Sequence, residues 1–158
     1  MTRAPAGITF APLQPERSHE LVRMWRDSFE HGVGIVDPNP IEGQLAYFLD
    51  EVVPQHTVRV AHVGERIVGF IAASSQTVCQ LYVDPPFHAR GIGTRLLAWA
   101  KQQSQGSLWL FTFERNQRAC AFYERHGFTA VARGFEPVWQ LADVRYEWAR
   151  DGCQGGVA

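Results

Sequence analysis

The spacing of apolar residues in the N-terminal third predicts one strand followed by two helices. Residues 8–11 have the pattern of a short strand, and residues 16–30 that of a helix with Leu21, Met24, Trp25 and Phe29 (or Ser28) on its inner face. A second helix is expected from Asn39, its N-cap, to Pro54, since Pro40 and Glu42 complete the start signal. The glycine-rich segment 32–38 between them is expected to be a mobile loop.

The rest of the chain alternates between segments with the apolar spacing of strands and segments with the apolar spacing of helices. Two strand-like runs at 57–63 and 66–73 form a hairpin at Gly64-Glu65. The later elements are a strand at 78–83, a helix from 92 to about 104, a strand at 107–112, a helix at 117–126 and strands at 128–133 and 144–148. The resulting order, β-α-α-β-β-β-α-β-α-β-β, predicts a mixed fold of the α/β (α+β) class.

The turn after the 78–83 strand carries the most specific chemical signal. It reads His88-Ala89-Arg90-Gly91-Ile92-Gly93-Thr94 and opens directly into the next predicted helix. The first turn of a helix has unpaired N–H groups and a partial positive charge, and glycines let a phosphate approach that backbone. The turn therefore predicts a phosphate-binding site. Its spacing differs from both the dinucleotide motif and the P-loop.

Two blocks of the sequence together resemble one enzyme family. The turn is similar to the Gln/Arg-x-x-Gly-x-Gly/Ala signature of the GCN5-related N-acetyltransferases (the GNAT superfamily). The segment from Asn116 to Phe128, Asn-Gln-Arg-Ala-Cys-Ala-Phe-Tyr-Glu-Arg-His-Gly-Phe, is similar to the family's Asn-x-x-Ala-x-x-x-Tyr-x-x-x-Gly-Phe block. Both occur in the family's order and at its usual separation, and the resemblance covers nearly the whole chain.

The resemblance implies a fold and an activity. The fold is a mixed, mostly antiparallel and twisted central sheet flanked by helices, which would form a single domain over residues 1–150 before a flexible tail at 151–158. The activity is acetyl-CoA-dependent transfer of an acetyl group to a primary amine, by direct attack in a ternary complex. The acceptor would be a small molecule, an amino acid or a peptide.

The resemblance also assigns the coenzyme site. The strand before the turn would end in a bulge and splay from the next strand, so that pantetheine lies along the main chain of Leu81, Tyr82 and Val83. One N–H of that strand would polarise the thioester carbonyl. The pyrophosphate would be bound at the turn, at His88, Ala89, Arg90, Gly91, Ile92, Gly93 and Thr94. His88 departs from the family's Gln or Arg, which leaves its side-chain contribution open.

The second block supplies the remaining coenzyme contacts and the catalytic acid. Asn116 would contact pantetheine, although a helix N-cap explains it equally well. Phe122 would lie against the coenzyme. Tyr123 would donate a proton to the departing thiolate, because a phenol is neutral near pH 7. The alternative is that Tyr123 is only part of the amphipathic face of its helix.

No general base can be assigned from the sequence. The positions where the family often has a glutamate hold Thr77, Gln80 and Phe111. Glu114, His31 and Asp143 are weaker candidates, and a water relay held by Gln80 is a further option. The acceptor is expected near Trp25, Phe29, His31, Gln80 and Glu114, in a pocket shaped by residues 16–53 and 133–139.

Composition narrows the choice of partners. The chain of 158 residues has a net charge of −1, which gives no electrostatic case for nucleic acid or a membrane surface, and no apolar run is long enough to span a bilayer. Three cysteines, without a Cys-x-x-Cys pair, argue against a metal site and fit a cytoplasmic protein. Acetyl-CoA is the expected cosubstrate, without a metal, and a homodimer is left open.

Two other function classes remain open at this stage. A non-catalytic module that binds acyl-CoA on the same scaffold would explain the missing glutamate. A structural α/β domain with a chance glycine turn would have no affinity for coenzyme A, and it would have to explain two ordered motifs by coincidence.

Overall fold

The central sheet is divided into two. In the computed structural model, which describes residues 7–151, strands β1–β4 form one sheet in that order, and β5, β7 and β6 form another, with every neighbouring pair antiparallel. The strands are β1 (Ile8–Pro12), β2 (Thr57–Val63), β3 (Arg66–Ala73), β4 (Val78–Val83), β5 (Ser107–Phe113), β6 (Thr129–Glu136) and β7 (Leu141–Ala149). The predicted fold class and element order are confirmed. Residues 152–158 of the expected flexible tail lie outside the described residues.

The helices cover both faces of the four-stranded sheet. Helix α1 (Ser18–Val33) follows a short 3-10 turn, and α2 (Ile41–Tyr47) continues into a π-helical turn (Phe48–Val52) and a last helical turn (Val53–Gln55). The two later helices are α3 (Ile92–Gln103) and α4 (Gln117–Arg125). One core cluster packs α1 and α2 on one face, and the other packs α3 and α4 on the opposite face.

Three boundary predictions in the N-terminal region were wrong. Helix α1 continues through residues 32 and 33, which were expected in the loop, and ends where Gly34 adopts a left-handed conformation (φ 78°). Asn39 does not cap α2; its side chain binds Asp37 and Pro40 occupies the N-cap position. Pro54 does not end the second helical segment, because it lies in the first turn of the last piece, where a proline needs no N–H partner.

Strands β4 and β5 touch at one point and then separate. The contact is a parallel bridge in which the Trp109 N–H donates to the Gln76 carbonyl (3.0 Å) and the Thr77 hydroxyl donates to the Trp109 carbonyl (2.9 Å). Beyond it β4 pairs only with β3, so its other edge is open toward β5. A register shift leaves Cys79 as an extra residue at the beginning of β4, not at the strand's end as expected.

We expect the Thr77 hydroxyl to stabilise this junction between the sheets. Thr77→Val keeps the shape of the side chain but removes the donor to Trp109, so the free energy of unfolding should fall by about 1 kcal/mol. Thr129→Val, at an exposed position of β6, is the matched control and should change it by less than about 0.5 kcal/mol. Urea unfolding measures both, and equal midpoints for the two variants would contradict a role for Thr77 in joining the sheets.

Candidate active site

A cavity of about 330 Å³ lies between the end of β4, the start of α3 and the face of α4. It contains most of the residues that the sequence motifs predicted. From the predicted coenzyme set it is lined by Leu81, Tyr82, Val83, His88, Ala89, Gly91, Ile92, Gly93, Thr94, Asn116, Phe122 and Tyr123. Arg90 is absent from that lining, since its guanidinium lies over the Phe87 ring at 5.2 Å.

The turn before α3 presents a row of free N–H groups. The first backbone bond of the helix runs from the Arg95 N–H to the Gly91 carbonyl, and no described residue accepts from the N–H groups of residues 89–94. Ala89 (φ 63°) and Gly91 (φ 80°) are both left-handed, a strained conformation for alanine. Consecutive N–H groups of this kind form a concave site for an anion.

Side chains around this turn also favour an anion. Arg118 and Arg125 of α4 line the cavity, and its lining includes no aspartate or glutamate. Gly93 keeps the space between the turn and the Phe122 ring open, because a Cβ at this position would lie 3.3 Å from that ring. The cavity therefore combines backbone donors and two guanidinium groups around a space that suits phosphate groups.

His88 turns back toward β4. Its Nε2 lies 2.9 Å from the Val83 carbonyl oxygen, which also accepts from the Ser28 hydroxyl at 3.1 Å. A carbonyl only accepts, so Nε2 carries the proton. Burial lowers the pKa of His88, against the opposing effect of this hydrogen bond, and the imidazole is neutral near pH 7. The His88 side chain thus holds the end of β4 and adds no charge to the cavity.

The open edge of β4 offers main-chain partners to a ligand. The Asp84 N–H bonds the Val68 carbonyl on the β3 side, whereas the Val83 carbonyl bonds His88 and Ser28 on the opposite side. Strand residues alternate in direction, so the N–H groups of Leu81 and Val83 face the gap toward β5. An extended chain could lie in this gap and bond to both.

Tyr123 is a buried polar residue that lies beside the gap. Its side chain is only 7% exposed, and its hydroxyl has no hydrogen-bond partner among the described residues. Burial raises the pKa of Tyr123 above its usual value, so the phenol stays protonated at physiological pH. Asn116 caps α4, with its Oδ1 accepting from the Ala119 N–H at 3.1 Å. The N-cap interpretation of Asn116 is therefore confirmed.

A second cavity, of about 220 Å³, lies on the other side of Tyr123. It is bounded by β4, β5 and the end of the β6–β7 hairpin. Its lining comprises Val33, Val78, Cys79, Gln80, Leu81, Tyr82, Phe111, Thr112, Phe113, Asn116, Ala119, Tyr123, Glu136 and Asp143. Five of these residues, Leu81, Tyr82, Asn116, Ala119 and Tyr123, also line the first cavity. The two spaces thus share one wall.

Only some of the residues predicted to contact an acceptor line the second cavity. Gln80 lines the second cavity. Trp25 and Phe29 do not, because both are buried in the core, Trp25 against Phe70 and Tyr82 and Phe29 against Phe113 and Trp139. The structure does not bring these two side chains to the second cavity, because aromatic residues on the inner face of a helix pack into the core first.

His31 and Glu114 also lie outside the linings of both cavities. The His31 ring is 5.7 Å from the His88 ring, at the end of α1. Glu114 is exposed and forms an ion pair with Arg133 at 2.8 Å. The structure therefore brings neither side chain to the cavity where an acceptor contact was expected.

Several lining residues were not singled out from the sequence. Glu136 is missing from the predicted site, and Asp143 was considered only as a weak base; their closeness follows from the β6–β7 register, which spacing alone does not give. Arg118 and Arg125 could have been found, since both belong to the second motif at a spacing of seven residues, two helical turns.

Residues 7–151 lack the features of a metal centre and of a membrane-spanning helix. No group of three or more His, Cys, Asp or Glu side chains is arranged there to hold a metal ion. In the same part of the chain no helix is both long and apolar enough to cross a membrane. Cys79 and Cys120 are free thiols, and Cys153 lies outside the described residues.

Comparison with known proteins agrees with this geometry. Residues 54–130 match the family model of the acetyltransferase (GNAT) domain. An uncharacterized N-acetyltransferase of Mycobacterium tuberculosis is 32% identical over 108 residues, which cover 63% of this chain and 68% of the relative. The peptidyl-lysine N-acetyltransferase YjaB of Salmonella typhimurium is 26% identical over 119 residues, covering 75% of this chain and 81% of that protein.

Solved structures share the fold at lower identity. The PaiA N-acetyltransferase of Thermoplasma acidophilum, solved with coenzyme A, superposes with a TM-score of 0.72 at 20% identity, over 90% of this chain and 98% of that one. YncA of Salmonella typhimurium, solved with acetyl-CoA, has a TM-score of 0.66 at 15% identity, over 92% and 95% of the two chains. With the sequence relatives, these findings show that the chain belongs to the GNAT superfamily of acetyltransferases.

Proposed function

We propose that this protein transfers the acetyl group of acetyl-CoA to a primary amine while both substrates are bound. The observation that carries the proposal is the shared wall of the two cavities, with the unpartnered hydroxyl of Tyr123 in it. One cavity has the donors for a phosphate-bearing ligand, and the other is separate and lies on the opposite side of the same tyrosine. Two substrates could therefore meet there without leaving the protein.

The first cavity fits coenzyme A in three respects. The free N–H groups of residues 89–94 would bind the pyrophosphate, and Arg118 and Arg125 would add charge-assisted bonds to phosphate oxygens. The open edge of β4 at Leu81 and Val83 would bond the amide groups of pantetheine. Tyr82, whose pKa burial raises to about 12, would remain neutral and contribute an apolar ring surface.

The chemistry requires little of the protein beyond positioning. The amine nitrogen attacks the thioester carbonyl carbon, and a β4 N–H aimed into the gap stabilises the negative charge that develops on the carbonyl oxygen. The carbon–sulfur bond then breaks, and Tyr123 gives its proton to the thiolate. The products are an amide and the free thiol of coenzyme A. The tyrosinate then takes up a proton from water, which balances the proton that the amine loses, and the raised pKa of Tyr123 favours that return.

The amine must also lose a proton during the reaction. We assign this proton to water in the second cavity, where the Gln80 amide can hold a molecule in place. Neither His31 nor Glu114 lines that cavity, which supports water over either side chain as the base. Because the relative YjaB is a peptidyl-lysine N-acetyltransferase, a lysine side chain is one acceptor to test; an amino acid and a small amine are the others. Cytoplasmic location and a homodimer stay predictions.

The first test of this proposal is an acid at the phosphate-binding turn. A Cβ on Gly91 meets no atom within 4 Å, so Gly91→Asp should fold, although its φ of 80° causes strain. The added carboxylate would face the pyrophosphate, and the affinity for coenzyme A should fall more than about tenfold, or 1.4 kcal/mol. Gly91→Asn adds a side chain of the same shape without the charge. Its affinity for coenzyme A, measured by calorimetry, should stay within about threefold of that of the parent. Equal affinities of the two variants for coenzyme A would contradict the assignment of the pyrophosphate to this turn.

The second test removes the proposed acid. Tyr123→Phe keeps the buried ring and deletes the hydroxyl, so turnover should fall by about two orders of magnitude with little change in KM. Tyr146→Phe is the matched control, because Tyr146 is also buried but its hydroxyl binds Glu124 outside both cavities. A thiol-release assay over an amine panel provides the rates. If both variants turn over alike, Tyr123 is structural; if the parent binds coenzyme A and releases no thiol, the chain is a binding module.

A further inference from the structure

We propose that the acceptor is a small amine with a second positive charge, and that Glu136 and Asp143 bind that remote charge. This rests on the proposed function, since it names the substrate class for the second cavity. Both carboxylates line that cavity, whose lining includes no lysine, arginine or histidine. The chain as a whole is almost neutral, so this local excess of negative charge is a property of the site.

The two carboxylates lie on one face of the β6–β7 hairpin. Asp143 is opposite Gly134 in the register, and Glu136 follows Gly134 by two residues on the same strand. Such diagonal neighbours have Cα atoms about 7–8 Å apart, with side chains that can reach one group between them. A Cβ on Gly134 would lie 2.9 Å from Asp143 Oδ1, so the glycine provides the space that the Asp143 carboxylate occupies.

Both carboxylates keep oxygen atoms available for a ligand. Glu136 Oε2 accepts from the Trp139 N–H at 2.6 Å, which fixes the side chain and leaves the second oxygen unbonded. No described residue donates to the Asp143 carboxylate. The two arginines of the same hairpin are already paired: Arg145 contacts Glu147 at 2.9 Å and lies over the Trp109 ring at 4.6 Å, and Arg133 contacts Glu114 at 2.8 Å.

The position of Tyr123, which is independent of the carboxylates, indicates where the reacting end of the acceptor would lie. Tyr123 lines the same cavity with a 7% exposed side chain and an unpartnered hydroxyl, and it faces the coenzyme cavity as well. From the gap beside β4 the strand order runs β5, β7 and then β6, with about 4.8 Å between neighbours. Asp143 and Glu136 thus lie one and two strands farther out than β5.

This arrangement separates the two charges of the acceptor. A carboxylate beside the reacting nitrogen would hold it in the protonated form, which cannot attack a thioester. The same carboxylate at the far end of the molecule binds and orients it without that penalty. A carboxylate on the acceptor would instead be repelled, which disfavours a free α-amino acid. A volume of about 220 Å³ favours a small diamine over a larger ligand.

Three acceptors of equal chain length but different remote charge test the proposal. They are 1,4-diaminobutane, with a remote cation, butylamine, with a neutral end, and 4-aminobutanoate, with an anion. We expect kcat/KM for the diamine to exceed that for butylamine at least about tenfold, and the anion to be the poorest of the three. Equal kcat/KM for the diamine and butylamine would overturn the proposal, as would faster transfer to a lysine peptide with neutral neighbours than to the diamine.

Substitutions identify the residues that recognise the charge. Glu136→Gln and Asp143→Asn should each reduce the ratio of kcat/KM for the diamine to kcat/KM for butylamine to about threefold or less. Glu42→Gln removes the same charge at an exposed position of α2 that lines neither cavity, and it should keep the preference. An unchanged preference in both cavity variants, or an equal loss in Glu42→Gln, would contradict the assignment.

A binding measurement separates this inference from the proposed function. Calorimetry of 1,4-diaminobutane with the protein saturated by coenzyme A needs no turnover. If the diamine binds, and Glu136→Gln weakens that binding at least about tenfold, the cation site is supported whether or not acetyl transfer occurs. If the diamine binds in this way but no amine is acetylated, the proposed enzymatic function is overturned and the cation site is not. Absence of diamine binding overturns the cation site, whether or not another amine is acetylated.

Discussion

The separation of β4 from β5 is the constraint on which the rest of the site depends. A continuous sheet would use the N–H groups of Leu81 and Val83 for strand pairing and would close the space between the two cavities. Here the pairing ends at the Thr77–Trp109 bridge. The Val83 carbonyl is held from the open side by His88 and Ser28, which fixes the end of β4 while its N–H groups remain available. The gap is thus maintained by side chains that do not themselves need to react.

Charge is distributed differently on the two sides of this gap. The first cavity, proposed for the coenzyme, has six free backbone N–H groups and two arginines, and its lining includes no carboxylate. The second cavity, proposed for the acceptor, has two carboxylates and, in its lining, no basic side chain. An anionic donor and a cationic acceptor would each be attracted to its own cavity and repelled from the other. Tyr123, uncharged and buried between them, is where the two would meet.

Local sequence signals predicted much of the fold and most of the residues that line the first cavity. The turn at 88–94 and the block from Asn116 are contiguous motifs whose backbone geometry follows from glycine, a helix start and an N-cap, so their placement in one cavity followed from the element order. The acceptor side depends on register and packing instead. Asp143 and Glu136 become diagonal neighbours only because β6 and β7 pair as they do, and Trp25 and Phe29 are buried by the packing of their helix into the core.

A crystal structure of the protein with coenzyme A tests the central claim most directly. The account predicts the pyrophosphate on the N–H groups of residues 89–94, pantetheine along the open edge of β4 and the thiol within hydrogen-bond distance of the Tyr123 hydroxyl. The second cavity would remain accessible beside the sulfur, on the side of Glu136 and Asp143. A coenzyme bound elsewhere, or a thiol directed away from Tyr123 with pantetheine filling the second cavity, would contradict it.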